Sequence, residues 1–199
     1  IEHEKVLSYL DVLKAKKPVG KKVAVIGAGG IGFDVAEYLT HSEEHASELI
    51  ASSKEEFFDE WGVDIALENR AGLKPQQAVS SPREIYLLQR KTSKVGAGLG
   101  KTTGWIHRTS LKHRQVRNIA GAQYEKIDDR GLHIRVGDES QVLDVDNIIV
   151  CAGQEPLKAL HETLQEMGVS SHLIGGAFEA AELDAKRAID QGSRLAAAI

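Results

Sequence analysis

The 199-residue chain carries a formal charge of −4, which excludes a broadly basic nucleic-acid binder or a partner of anionic membranes, so any anion must be met by local groups. Its length admits one sizeable domain, or one domain with a fragment of another. A single cysteine excludes an internal disulfide and a Cys-ligated cluster within this chain and fits a cytoplasmic setting; no apolar run approaches the roughly 20 residues of a membrane-spanning helix.

The chain starts at Ile1 rather than methionine, which points to a processed or excised segment. Val6, Leu7, Leu10, Val12 and Leu13 recur at mostly helical spacing, so residues 6–15 read as a lead-in helix stopped by the stretch Lys16-Lys17-Pro18-Val19-Gly20. It packs either on another domain or over this one.

The chain is organised around Lys22-Val23-Ala24-Val25-Ile26-Gly27-Ala28-Gly29-Gly30-Ile31-Gly32. The apolar run reads as a buried strand, and the glycines fall at G-x-G-x-x-G. In that pattern Gly27 takes the tight turn, Gly29 lets backbone approach a pyrophosphate, and Gly32 lets the next helix close on the strand. That helix carries Ile31, Val35, Ala36 and Leu39 on one stripe. Its first amides and positive dipole end face the loop, where an anion can sit.

From about 41 to 82 the chain departs from the simplest nucleotide-binding unit. We read a helical surface insertion anchored by Phe57, Phe58 and Trp61, lying on this domain or meeting a partner domain. Ile85 to Gln89 then gives a second strand, ending in Gln89-Arg90-Lys91. A carboxylate at this strand end would accept bonds from an adenosine 2′-hydroxyl and repel a 2′-phosphate; Arg and Lys offer charge-assisted bonds to that phosphate. NADP is therefore favoured over NAD, with a solvated basic turn as the plainer reading.

Gly96-Ala97-Gly98-Leu99-Gly100-Lys101-Thr102 resembles a phosphate-binding P-loop, but Val95 stands where the first glycine belongs. It reads instead as a mobile loop over a cofactor, running into a helix capped by Thr102 or Thr103, with Lys101, His107 and Arg108 facing either phosphates or solvent. Residues 116–120 suggest a strand, and 122–127, 132–136 and 141–143 an antiparallel meander. Val145 to Gly153 enters a last buried strand, within which Cys151 reads as a structural thiol. Past Gln154-Glu155-Pro156, a polar helix over 157–167, a short strand at 171–174 entering Gly175-Gly176, and an amphipathic helix through Leu183, Ala188, Ile189 and Leu195 complete the chain.

The predicted class is α/β: a Rossmann-like dinucleotide-binding domain with a central parallel sheet and an added antiparallel meander. Several stretches make the sequence resemble the C-terminal part of the bacterial NADPH-dependent 2,4-dienoyl-CoA reductase and trimethylamine dehydrogenase family. They are Lys5 to Leu13, Gly27 to Asp34, Gln89-Arg90-Lys91, Gly98 to Arg108, Cys151 to Pro156 and His172 to Gly176. The stretch Lys101-Thr102-Thr103-Gly104-Trp105-Ile106-His107 is far more specific than the glycines.

The resemblance implies an NADPH-binding domain over 20–153, preceded by a lead-in from a split FAD domain (1–19) and followed by a C-terminal fragment of that domain (154–199). It implies that Gly27, Ala28, Gly29, Gly30, Ile31, Gly32 and Asp34 hold the pyrophosphate region. Gln89, Arg90 and Lys91 then meet the adenosine end, and Ala152 and Gly153 form the crossover. Gly175, Gly176, Ala177, Glu182 and Leu183 face the flavin. Gly176 and Ala177 stand where many related flavoproteins carry an aspartate after the first glycine. No side chain is required as a catalytic acid or base, and no metal ligand is expected here. FMN, a 4Fe-4S cluster and the 2,4-dienoyl-CoA site are expected in an N-terminal barrel domain of the same polypeptide. The reading from another class is a nucleotide-sensing or interaction module that binds a dinucleotide without redox chemistry.

Overall fold

A computed structural model describes residues 2–41, 53–181 and 185–199 and divides the chain into two units, 1–152 and 153–199. The first unit is built on a five-stranded parallel sheet ordered β1-β8-β2-β3-β4: β1 Val6–Ser8, β2 Lys22–Ile26, β3 Glu84–Leu88, β4 Arg117–Ile119 and β8 Asn147–Val150. Because side chains alternate along a strand, β2 sends Val23 and Val25 to one face and Ala24 and Ile26 to the other, and all four are buried. Burial on both faces is what a parallel sheet demands, and it explains the unbroken apolar run.

On the first face, Val23, Val25, Ile85, Leu87 and Ile149 pack with Phe33, Val35, Ala36 and Leu39 of α2 (Gly30–Leu39) and Leu111 of α4 (Gly104–His113). On the second face, Ala24, Ile26, Leu88 and Ile148 pack with Ala122, Leu132, Ile134 and Leu143. Those last residues come from the predicted meander, β5 Ala122–Asp128, β6 Gly131–Val136 and β7 Glu139–Leu143. It forms its own three-stranded antiparallel sheet laid against the parallel one rather than an extension of it.

The lead-in differs from expectation. Residues 6–8 are strand, paired in parallel with Ile148 to Val150, and only Tyr9–Leu13 forms a helix, α1. Ser8 marks the switch: its hydroxyl accepts the Asp11 N–H while the Asp11 carboxylate accepts the Ser8 N–H, a reciprocal cap that fixes the helix start two residues past the apolar Val6-Leu7 pair.

The insertion contains α3 (Lys54–Trp61), opened by a second reciprocal cap between Ser53 and Glu56 and closed by Gly62 at φ +66°. Its first part, 42–52, lies outside the described residues. Glu60 and Arg114, both buried, form an ion pair at 3.1 Å that ties α3 to the end of α4, although Arg114 Nε has no partner. Trp61 also meets Trp105 of α4 edge-on at 6.3 Å. Among the described residues, no helix is long and apolar enough to cross a membrane.

The second unit holds α5 (Ala159–Glu166), the single turn α6 (Gly175–Phe178) and α7 (Ala185–Ala196). The strand expected at 171–174 is absent; the Ser171 hydroxyl engages His161 Nδ1 at 2.8 Å, and among the described residues no strand pairs with this segment.

Candidate functional site

The strand order reverses at β2: α2 carries the chain to β3 on one side, while β8 lies on the other. The crevice outside the carboxyl ends of parallel strands at such a reversal is where this architecture receives ligands. At its centre, the Gly27 N–H donates to Leu88 O and the Cys151 N–H to Ile26 O, so the glycine turn is stitched to both neighbouring strands.

The three glycines separate cleanly. Gly27 has φ +108°, and a Cβ there would come to 3.0 Å from the Cys151 carbonyl. A Cβ on Gly32 would stand 1.7 Å from the Gly27 carbonyl oxygen, so helix and turn close only because no side chain intervenes. Gly29 is the opposite case. A Cβ on Gly29 or Gly30 meets nothing within 4 Å, which leaves clear space over the loop.

Gly29 caps α2 with no side chain in the way, and the first helical bond is Phe33 N–H to Gly29 O at 3.1 Å. The amides of Gly30 to Gly32 precede that bond and carry the positive end of a ten-residue helix. No acidic residue lies in the helix's first turn to oppose an anion. Asp34 is exposed further along the helix, and Ala28 and Ile31 are half-buried. This cradle fits a pyrophosphate.

At the end of β3, Arg90 and Lys91 are exposed, and among the described residues neither is paired with a carboxylate. Arg90 lies near Tyr124, whose phenol burial pushes up while the Arg90 charge pulls it back. Gln89 folds back on its own turn: its Nε2 donates to Lys91 O at 3.0 Å and Ser93 O at 2.6 Å.

The loop after it is held at its stem. Gly96, at φ +75°, sits so close to Phe33 that a Cβ would reach 2.6 Å from the ring, and Arg108 Nη1 donates to Gly96 O at 2.9 Å. This is turn, with no strand leading in, so the P-loop likeness ends at the glycines. Thr103 occupies the cap position of α4 without a side-chain bond. His107 is engaged by Glu37 at 3.4 Å, and Arg108 by Gly96, rather than standing free for phosphate. Lys94 and Lys112 emerge instead; with Val95, Trp105, Arg108 and Ala120 they line a groove of about 550 Å³ containing no carboxylate. Sequence spacing did not bring Lys94 and Lys112 together; the fastening of the loop after β3 to α4 through Arg108 and Gly96 does.

Cys151 is buried, and that burial pushes its thiol up to about 12. It is unsuited to redox exchange near neutral pH. Ala152 and Gly153 are exposed, with Gly153 at φ +82° and open space around it.

In the second unit Gly175 is buried at φ +57°, its N–H already donating to Gln191 Oε1 at 2.6 Å. Gly176 and Ala177 are half-buried beside it. Glu182 and Leu183 lie outside the described residues.

A parallel sheet with a glycine cradle at its switch point and a cationic strand end defines a dinucleotide-binding domain. The chain belongs to the pyridine nucleotide-disulphide oxidoreductase family, whose profile matches residues 3–176. That family is one of flavin- and nicotinamide-linked oxidoreductases, and the cofactors it implies are FAD and NAD(P).

A metal reductase of Desulforamulus reducens is 20% identical over 185 residues, covering 89% of this chain and 25% of that protein. A 2-naphthoyl-CoA reductase in complex with 2-naphthoyl-CoA superposes with TM-score 0.65 at 18% identity, covering 95% of this chain and 23% of that one. Histamine dehydrogenase from Rhizobium sp. 4-9 superposes with TM-score 0.60 at 14% identity, covering 96% and 26%. These likenesses establish the fold. The chain spans about a quarter of the length of these relatives.

Proposed function

We propose that this chain is the NADPH-binding portion of a multi-cofactor 2,4-dienoyl-CoA reductase that acts on unsaturated acyl-CoA in β-oxidation. The observation that carries the nicotinamide part is the open backbone over Gly29 and Gly30, with the exposed Arg90 and Lys91 at the adjoining strand end. The finer assignment rests on the Lys101 to His107 motif and on the fold shared with a reductase of an aryl-CoA.

When bound, NADPH supplies a hydride for FAD, and the chain's own residues bind and orient rather than exchange protons. The amides of Gly30 to Gly32 take the pyrophosphate, while Arg90 and Lys91 take the 2′-phosphate by charge-assisted hydrogen bonds. Ala152 and Gly153 carry the chain onward to residues 154–199, which belong to the FAD domain in this reading, whereas the lead-in expected to join them supplies β1 to the nucleotide-binding sheet. FMN, the 4Fe-4S cluster and the acyl-CoA site belong to a barrel domain of the same polypeptide outside this sequence.

Equilibrium titration with NADPH and NADH tests the nicotinamide part. Replacing Arg90 and Lys91 together by alanine should weaken NADPH roughly a hundredfold or more, since hydrogen bonds to charged groups contribute about 1.5–3 kcal/mol each, and weaken NADH far less. Equal affinity of the unaltered chain for the two would overturn the choice of NADPH.

A further inference from the structure

The strand end that selects between 2′-hydroxyl and 2′-phosphate carries neither an acid nor a base but Gln89, an uncharged isostere of glutamate. Its side-chain nitrogen is engaged within its own turn. Both groups it meets, Lys91 O and Ser93 O, are acceptors, so the atom between them must be the donating nitrogen. The backbone of Gln89 is pinned as well: its N–H donates to Ile119 O and its carbonyl accepts the Ala122 N–H, both at 3.0 Å. Lys91 O accepts a second bond, from the Gly121 N–H at 2.9 Å. The five residues from Gln89 to Ser93 are thus held at three points, with the exposed Arg90 and Lys91 projecting between them.

We infer that Gln89 is a positioning residue for 2′-phosphate selectivity, which fastens the basic turn through Lys91 O and Ser93 O so that Arg90 and Lys91 meet the phosphate already ordered. Ordering a residue costs conformational entropy, and a turn fastened in advance spares the ligand that cost. The same position also excludes the alternative. A carboxylate of the same shape accepts bonds but donates none, so it would face two carbonyl oxygens, release the turn, and set a negative charge beside the phosphate. One side chain thereby serves both attraction and discrimination. This inference rests on the NADPH reading above.

The test compares 2′,5′-ADP with 5′-ADP on the unaltered chain and on Gln89→Met and Gln89→Glu, with thermal unfolding of each. The unaltered chain should bind 2′,5′-ADP more tightly. Gln89→Met, which keeps the length and removes the donors, should weaken 2′,5′-ADP about five- to tenfold and leave 5′-ADP within about twofold. Gln89→Glu should weaken 2′,5′-ADP further. If the unaltered chain prefers 2′,5′-ADP and both variants keep that preference, the role of Gln89 is overturned while the NADPH reading stands. An equal loss of both ligands overturns it too, because the side chain then serves the loop in general. No preference in the unaltered chain overturns the NADPH reading itself.

Discussion

At the scale of single residues, Gly29 and Gly32 make opposite demands although the sequence gives them the same letter. Gly32→Ala places a methyl group 1.7 Å from the Gly27 carbonyl oxygen, which the helix can relieve only by moving off the strand. We expect a loss of about 1–3 kcal/mol, read as a lower Tm, with dinucleotide binding lost alongside. Gly29→Ala adds its methyl group to open space. The fold should hold its Tm to within a few degrees while dinucleotide affinity falls, because the new group occupies the room left for the ligand. Equal Tm losses in the two variants would show that the loop is only a structural turn. Cys151 supplies a third expectation: with its thiol pushed up to about 12 by burial, it should resist a thiol reagent at pH 8 and react fully once the chain is unfolded.

At the scale of elements, the insertion is fastened by a charge pair rather than by apolar packing alone. Glu60 and Arg114 are each about 9% exposed, and removing one leaves the other buried without its partner. Glu60→Ala should cost about 3–5 kcal/mol, and replacing both residues by apolar ones of similar volume should restore much of it; a double-mutant cycle on Tm measures the difference. What could be read in the sequence follows the same division. The strands β2, β3 and β8, the helix α2 and the glycine turn were legible because periodicity and burial agree along them. Val6 to Ser8 was not. Leu10, Val12 and Leu13 continue the apolar pattern at helical spacing, and only pairing with Ile148, far along the chain, makes the first three residues strand. The expected strand at 171–174 failed for the complementary reason: no strand lies beside it among the described residues. Arg90 and Lys91 could be read from their place after β3, whereas the way Gln89 fastens its own turn depends on carbonyls that no spacing rule locates.

At the scale of the whole molecule, several carboxylates titrate below their usual range. The Lys17 ammonium, followed by the Ser8 N–H, holds Asp11 down at about 2. Lys126 and then His133 hold Asp128 lower still, the Asn69 N–H lowers Asp64, and Lys22 lowers Asp144. A carboxylate depressed on folding contributes stability that is fully present above its unfolded pKa, near 3.9, and is lost as pH falls through the folded value. Stability should therefore be level near neutrality in respect of these groups and fall below about pH 4, with the Asp11 share gone near pH 2; Asp11→Asn should flatten part of that fall in denaturant titrations. The pairing of β1 with β8 has a consequence for how the chain is made. Val6 leaves the ribosome well before its partner Ile148, and Cys151, against which the Gly27 turn rests, follows that partner. The nascent strand β1 therefore waits unpaired until β8 has been made, and loop closure over so long a separation makes this the slow step in assembling the nucleotide cradle.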